Sequence, residues 1–167
     1  MTVKQFVAKY KEEALISEKE KGINHLFILG QAALESGWSK NAPGNNFFGI
    51  KATESTPANK KQLLFTNEVF ANNQQGYRFP EVISITRRKD GKYDYRVKDW
   101  FMKYDTPAES FADHADLFYR ASRYASALKV KDDPHKFADA IAKAGYATAP
   151  NYATTLKSTI NTIKNAI

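Results

Sequence analysis

The sequence predicts an α+β fold: helical segments toward both ends of the chain and a small antiparallel β-region between them. Three observations carry this. Residues 2–36 hold apolar side chains at helical spacing, punctuated by Gly22 and Gly37. Residues 61–70, 82–87 and 92–98 read as strands, with side chains alternating between two faces in the first and last, and an Asp90-Gly91 turn joins the second to the third. After residue 105 the chain repeatedly opens helices, at Thr106-Pro107-Ala108-Glu109, Asp133-Pro134 and Asn151.

The first helix is expected to start at a Thr2 cap, bury Val3, Phe6, Val7, Tyr10 and Ala14, and stop at Gly22. The second should run from an Asn24 cap to Ser36. It is apolar around much of its circumference, which predicts a central, buried helix. Residues 37–46 read as loop. In the strand predicted over 61–70, Leu64, Thr66, Glu68 and Phe70 share one face, and Leu63, Phe65, Asn67 and Val69 the other. Residues 82–87 and 92–98 form the clearest hairpin, with Tyr93, Tyr95 and Val97 on one face of the second arm. That hairpin is too small to fold alone. One domain spanning 1–167 is therefore expected, with a β-lobe at about 60–100. The last helix should present Tyr152, Leu156, Ile160, Ile163 and Ile167 on one apolar face.

Composition narrows the class. The chain has 43% hydrophobic and 13% aromatic residues, which describes a globular protein, and a formal charge of +7, which favours anionic partners. Cysteine is absent, so no disulfide framework or thiolate metal site is available. The first residues lack the apolar core of a secretion signal, and no run is long enough to span a membrane. His25, His114 and His135 lack metal-ligand spacing, and there is no phosphate-binding or serine-hydrolase motif. His114 reads as a packing or hydrogen-bonding residue on a helix face. The basic residues are dispersed, so no nucleic-acid partner is expected. No cofactor or metal is implied.

The chemically informative stretch runs from Asn24 through Trp38. Glu35 falls in the last turn of the predicted helix, where the macrodipole is negative and a second negative charge is disfavoured. Apolar neighbours disfavour ionisation further. Both effects raise a carboxyl pKa, as required of an acid that must hold its proton near neutral pH. The alternative is a helix-end Glu that is solvated or paired with a Lys.

The surrounding motifs tip that balance. Ala33-Leu34-Glu35-Ser36-Gly37-Trp38 is followed by Asn45-Asn46-Phe47-Phe48-Gly49-Ile50-Lys51. Then come Tyr104-Asp105-Thr106-Pro107-Ala108-Glu109-Ser110-Phe111-Ala112-Asp113-His114, Arg123-Tyr124-Ala125, and Ala144-Gly145-Tyr146-Ala147-Thr148-Ala149-Pro150-Asn151-Tyr152-Ala153. In this order they resemble the bacterial glucosaminidases, glycoside hydrolase family 73, from about residue 23 to the C-terminus. The resemblance implies a lysozyme-like fold with a helical lobe, a β-lobe and a sugar-binding groove. It implies a peptidoglycan endo-β-1,4-N-acetylglucosaminidase, cutting between N-acetylglucosamine and N-acetylmuramic acid. A lytic transglycosylase, a muramidase and a non-catalytic wall-binding module are the alternatives. The protein is expected to be a monomer acting on the cell wall, reached by a route other than a leader in this chain.

Under the resemblance Glu35 is the general acid. Glu68, in Thr66-Asn67-Glu68, is the second acidic candidate, with a solvated strand Glu as its bland alternative and Glu81, Asp90 and Asp94 as weaker rivals. A second register would put Arg88 at that position and make the segment of about 71–85 an insertion. Tyr146 is the phenol expected at the acetamido group. Tyr152 is either a further substrate contact or a core aromatic opening the last helix. Trp38, Asn46 and Phe47 complete the expected substrate-binding set, while Phe48 reads as core. Ala149 stands where many family members carry Asp.

Overall fold

The computed structural model describes all of residues 1–167. It divides into two compact units: a helical one, Met1–Phe48 with Tyr104–Ile167, and a β one, Gly49–Lys103. The α+β class is as expected.

In the helical unit, α1 (Val3–Lys21) begins in a capping box between Thr2 and Gln5 and ends at Gly22, whose φ of 74° closes the last turn. Helix α2 (His25–Ser36) starts where Asn24 Oδ1 accepts from the Leu26 N–H, and it ends at left-handed Gly37. After a loop come α3 (Pro107–Arg120), α4 (Pro134–Lys143) and α5 (Tyr152–Lys164). Thr106 and Asp133 cap α3 and α4 with their side chains.

Asn151 differs from expectation. It precedes α5, but its side chain makes no capping bond. Its φ/ψ of −96°/9° is not the extended conformation from which a cap side chain reaches forward to the N2 or N3 amide. Ile167 also departs from the predicted apolar face, lying beyond the end of α5 and 54% exposed.

Helix α2 is central, packing on α1, α4 and α5. Phe27 is buried against Phe118 and Phe137, with ring centroids 5.9 and 4.5 Å away. On the α5 side, Gly30 allows close approach: a Cβ there would lie 2.6 Å from Ile160 Cγ1. Leu156, Ile160 and Ile163 of α5 are fully buried.

The β unit is a three-stranded antiparallel sheet in the order β1-β3-β2, with β1 Lys61–Phe70, β2 Glu81–Arg87 and β3 Tyr93–Met102. The turn at Asp90-Gly91 forms as expected, with Gly91 at φ 83°. Strand β3 pairs with both others, so β1 lies beside β3 and not beside its chain neighbour β2. Tyr95 and Val97 are fully buried. The Tyr95 hydroxyl donates to the Asn72 carbonyl at 2.7 Å and accepts from the Gln75 N–H at 3.2 Å, pinning the segment after β1 to the sheet.

Candidate active site

Glu35 stands on the last turn of α2, and the chain leaves that turn with its polar groups satisfied. The Ser36 hydroxyl donates to the Ala32 carbonyl, the Ser39 N–H donates to Ser36 Oγ, and the Trp38 N–H donates to the Ala33 carbonyl. The carboxyl is presented at the surface end of the helix, yet neighbouring protein still removes enough water to matter. Desolvation raises its pKa above the ordinary carboxyl value of 4.5, partly offset by a hydrogen bond from Tyr152.

That bond runs from the Tyr152 hydroxyl to Glu35 Oε1 at 3.2 Å. Behind it lies a polar chain through the helical unit. Gln31 Nε2 donates to the Tyr152 oxygen at 2.9 Å, and Gln31 Oε1 lies 2.9 Å from His114 Nε2. Gln31 sits one helical turn before Glu35 on α2, which puts both side chains on the same face. Gln31 is fully buried and His114 nearly so. The His114 ring stacks on Phe48 at 3.7 Å and 8°. Tyr146 completes the cluster, its hydroxyl 3.4 Å from His114 Nε2 and its ring 5.3 Å from that of Tyr152. Burial pushes both phenol pKa values upward, so both tyrosines are neutral donors at neutral pH.

Burial also pushes His114 down, from 6.5 to about 3. The folded protein therefore refuses a proton that the unfolded chain accepts below about pH 6.5. In this window the unfolded state binds more protons, so stability is full above pH 6.5 and falls as the pH drops toward 3. Urea unfolding at pH 7 and pH 4 should show the loss, and His114→Gln should flatten the slope.

The structure thus brings Glu35, Tyr146 and Tyr152 together. Glu68 lies in the β unit on the predicted face of β1. Lys51 Nζ sits 2.6 Å from Glu68 Oε1 and 3.0 Å from Asp99 Oδ2, so one ammonium holds two carboxylates. The weaker rivals are occupied in ion pairs: Glu81 with Lys98, and Asp90 and Asp94 with Arg88. Arg88, the residue of the alternative register, thereby closes its own hairpin turn.

Among the expected sugar contacts, Phe47 is corrected. It is 2% exposed and its ring packs edge-on against Tyr10 and Phe111, so it is a core side chain with no face left for a sugar. Asn46 is 3% exposed, which suits holding the loop better than touching a substrate. Trp38 is half-buried and edge-on to Phe6. The β unit also has a surface depression of about 520 Å³ that includes Tyr77, Arg78, Phe79 and Trp100. No sequence pattern announced it, because its walls come from separate segments. No cluster of potential metal ligands is present.

A polar chain that runs from buried Gln31 and His114 out to a helix-end acid, in a lysozyme-like α+β fold, fits the class of glycoside hydrolases. Residues 11–165 match the family described as glucosaminidase, mannosyl-glycoprotein endo-beta-N-acetylglucosaminidase, and the chain belongs to that family. It is 32% identical over 168 residues to the peptidoglycan hydrolase FlgJ of Salmonella typhimurium, aligning 96% of this chain with 46% of that protein. It is also 32% identical over 157 residues to FlgJ of Vibrio cholerae, covering 89% of this chain and 40% of that one. The chain thus spans just under half the length of these relatives. A C-terminally truncated glycoside hydrolase domain of Salmonella typhimurium FlgJ superposes with a TM-score of 0.72 at 32% identity, covering 98% of this chain and 99% of that one. A mutant peptidoglycan hydrolase from Sphingomonas sp. A1 superposes at 0.65 with 28% identity, covering 98% and 97%.

Proposed function

We propose that this chain is an endo-β-1,4-N-acetylglucosaminidase of peptidoglycan that cuts after N-acetylglucosamine. The observation that carries the reading is Glu35: a helix-end carboxyl with a raised pKa and a phenol donor on one oxygen. The names of its relatives, peptidoglycan hydrolases, support the substrate class. Glu35 protonates the glycosidic oxygen as the bond to the anomeric carbon lengthens. Glu68 acts on the attacking water or steadies the oxocarbenium-like centre. Tyr146 assists at the 2-acetamido group, whose carbonyl can accept from a phenol. The enzyme works as a monomer on wall outside the cytoplasm, and its +7 charge favours an anionic wall over neutral glycans.

The test is digestion of purified peptidoglycan with mass spectrometry of borohydride-reduced fragments. Reduced N-acetylglucosamine ends support the assignment. Reduced muramic acid ends would make the enzyme a muramidase, anhydromuramic ends a lytic transglycosylase, and wall binding without products a binding module. In the same assay Glu68→Gln should lower kcat by no more than about 10²-fold, the low end of what one positioned acid or base contributes.

A further inference from the structure

We infer that Gln31 and His114 are positioning residues that fix the direction of the Tyr152 hydroxyl proton, and so hold the acidic proton of Glu35 on Oε2. The inference goes beyond the glucosaminidase reading and depends on it only for its kinetic readout.

Donors and acceptors can be matched along one chain, which starts at buried His114 and Gln31 and ends at Glu35 on the surface. A neutral imidazole carries one ring N–H, and an amide has one accepting and one donating end. The contacts His114 Nε2 to Gln31 Oε1 (2.9 Å), Gln31 Nε2 to the Tyr152 oxygen (2.9 Å) and Tyr152 oxygen to Glu35 Oε1 (3.2 Å) therefore admit two polarities. In the first, His114 Nε2–H donates to Gln31, the Gln31 amide donates to Tyr152, and Tyr152 donates to Glu35. In the second, the amide is reversed, Tyr152 gives its proton to Gln31, and His114 is protonated on the other ring nitrogen. The second leaves ionised Glu35 facing a phenol oxygen with no proton between them. It is viable only if Glu35 spends its own proton on Tyr152, and that proton is then unavailable to a substrate.

The first polarity has neither fault. Oε1 accepts from Tyr152 in both protonation states of Glu35, so the transferable proton belongs on Oε2. When it leaves, the new carboxylate already has a donor, and a hydrogen bond to a charged group is stronger than one between neutral partners. The wall of the chain is built to keep this arrangement. His114 is clamped flat on Phe48, and Tyr146 leans on both His114 and Tyr152. The titratable groups acting on Glu35 from these elements are Tyr152 and Tyr146, both neutral.

Three measurements test this, and the first two need no substrate. Nitrogen-15 NMR of the imidazoles in the wild-type protein should find His114 neutral with its proton on Nε2. The Nδ1–H tautomer would overturn the inference. Carbon-13 NMR titration of the Glu35 carboxyl should then move to higher pH in Gln31→Met and His114→Phe, which lack the donors. His114→Gln, which keeps an N–H, should titrate nearer to wild type. A folded Gln31→Met with an unmoved Glu35 titration, or His114→Phe and His114→Gln behaving alike, overturns it. If His114→Phe does not fold, Gln31→Met and the tautomer decide.

With peptidoglycan, Gln31→Met should lower kcat about tenfold at unchanged KM, the scale of one hydrogen bond. The alkaline limb of its kcat profile should move up with the Glu35 titration. A merely structural role would lower the fraction of active protein and leave that limb in place. An inactive wild type would sink the glucosaminidase reading while the NMR results still judge the chain.

Discussion

Glu35→Gln is expected to lower kcat on peptidoglycan by about 10²–10⁴-fold, the range a positioned general acid contributes. The substitution keeps the volume and the acceptor for the Tyr152 hydroxyl, so the helix end and the polar chain behind it should survive. What disappears is a proton that can leave. An amide N–H at that position can hydrogen-bond a glycosidic oxygen but cannot give it up, so KM should change far less than kcat. Reduced N-acetylglucosamine ends should vanish from the digest while wall binding persists. Retention of wild-type kcat in the folded variant would remove Glu35 from the chemistry.

The pH dependence follows with a definite sign. With Glu35 as the proposed acid, the active form is the protonated one, and kcat should be full below its folded pKa and fall as the pH rises through it. Desolvation moves that point above 4.5 and the Tyr152 bond pulls it part of the way back. Tyr152→Phe should therefore shift the alkaline limb of the kcat profile to higher pH. It should also lower kcat, because the carboxylate left after proton transfer has lost its donor.

Much of this could be read from local sequence, and the reasons are physical. Helix starts and stops are written in a few adjacent residues, and so Thr2, Asn24, Gly22 and Gly37 placed α1 and α2 and put Glu35 on a final turn. The period-two alternation and Asp90-Gly91 likewise gave the faces of β1 and β3. Long-range pairing left no such trace. Gln31 reads as one polar residue in an apolar helix, and its partners His114 and Tyr152 lie 83 and 121 residues away. Phe47 and Phe48 are adjacent aromatics in one loop, and only packing decides that the first enters the core while the second stacks on His114. Asn151 shows the same limit on a smaller scale. Its residue type favours a cap, and the backbone conformation imposed by the preceding turn denies it the reach.

Gly30→Ala carries the second large effect, and its sign is set by a contest between two terms. In an exposed helix the change would stabilise by about 1 kcal/mol through helix propensity. Here the new Cβ would lie 2.6 Å from Ile160 Cγ1 and 3.3 Å from Leu156 Cδ1, both on fully buried side chains of α5. Cγ1 of a packed isoleucine has little freedom to withdraw, so α5 itself must move. Overpacking of this kind costs about 1–3 kcal/mol beyond the propensity gain. The cost should reach the chemistry, because α5 begins at Tyr152 and α2 ends beside Glu35, and the phenol–carboxyl bond joins the two helices. Urea unfolding should register the lost stability, and the alkaline limb of the pH profile should shift in the direction expected for Tyr152→Phe. Ile160→Ala alone should cost about 2–5 kcal/mol as a cavity. Combined with Gly30→Ala it removes the atom in the way, so the double variant should be more stable than the sum of the two losses by about 0.5 kcal/mol or more. Strict additivity would mean that the two residues do not meet, and that the approach of α5 to α2 is set by something other than the missing side chain at Gly30.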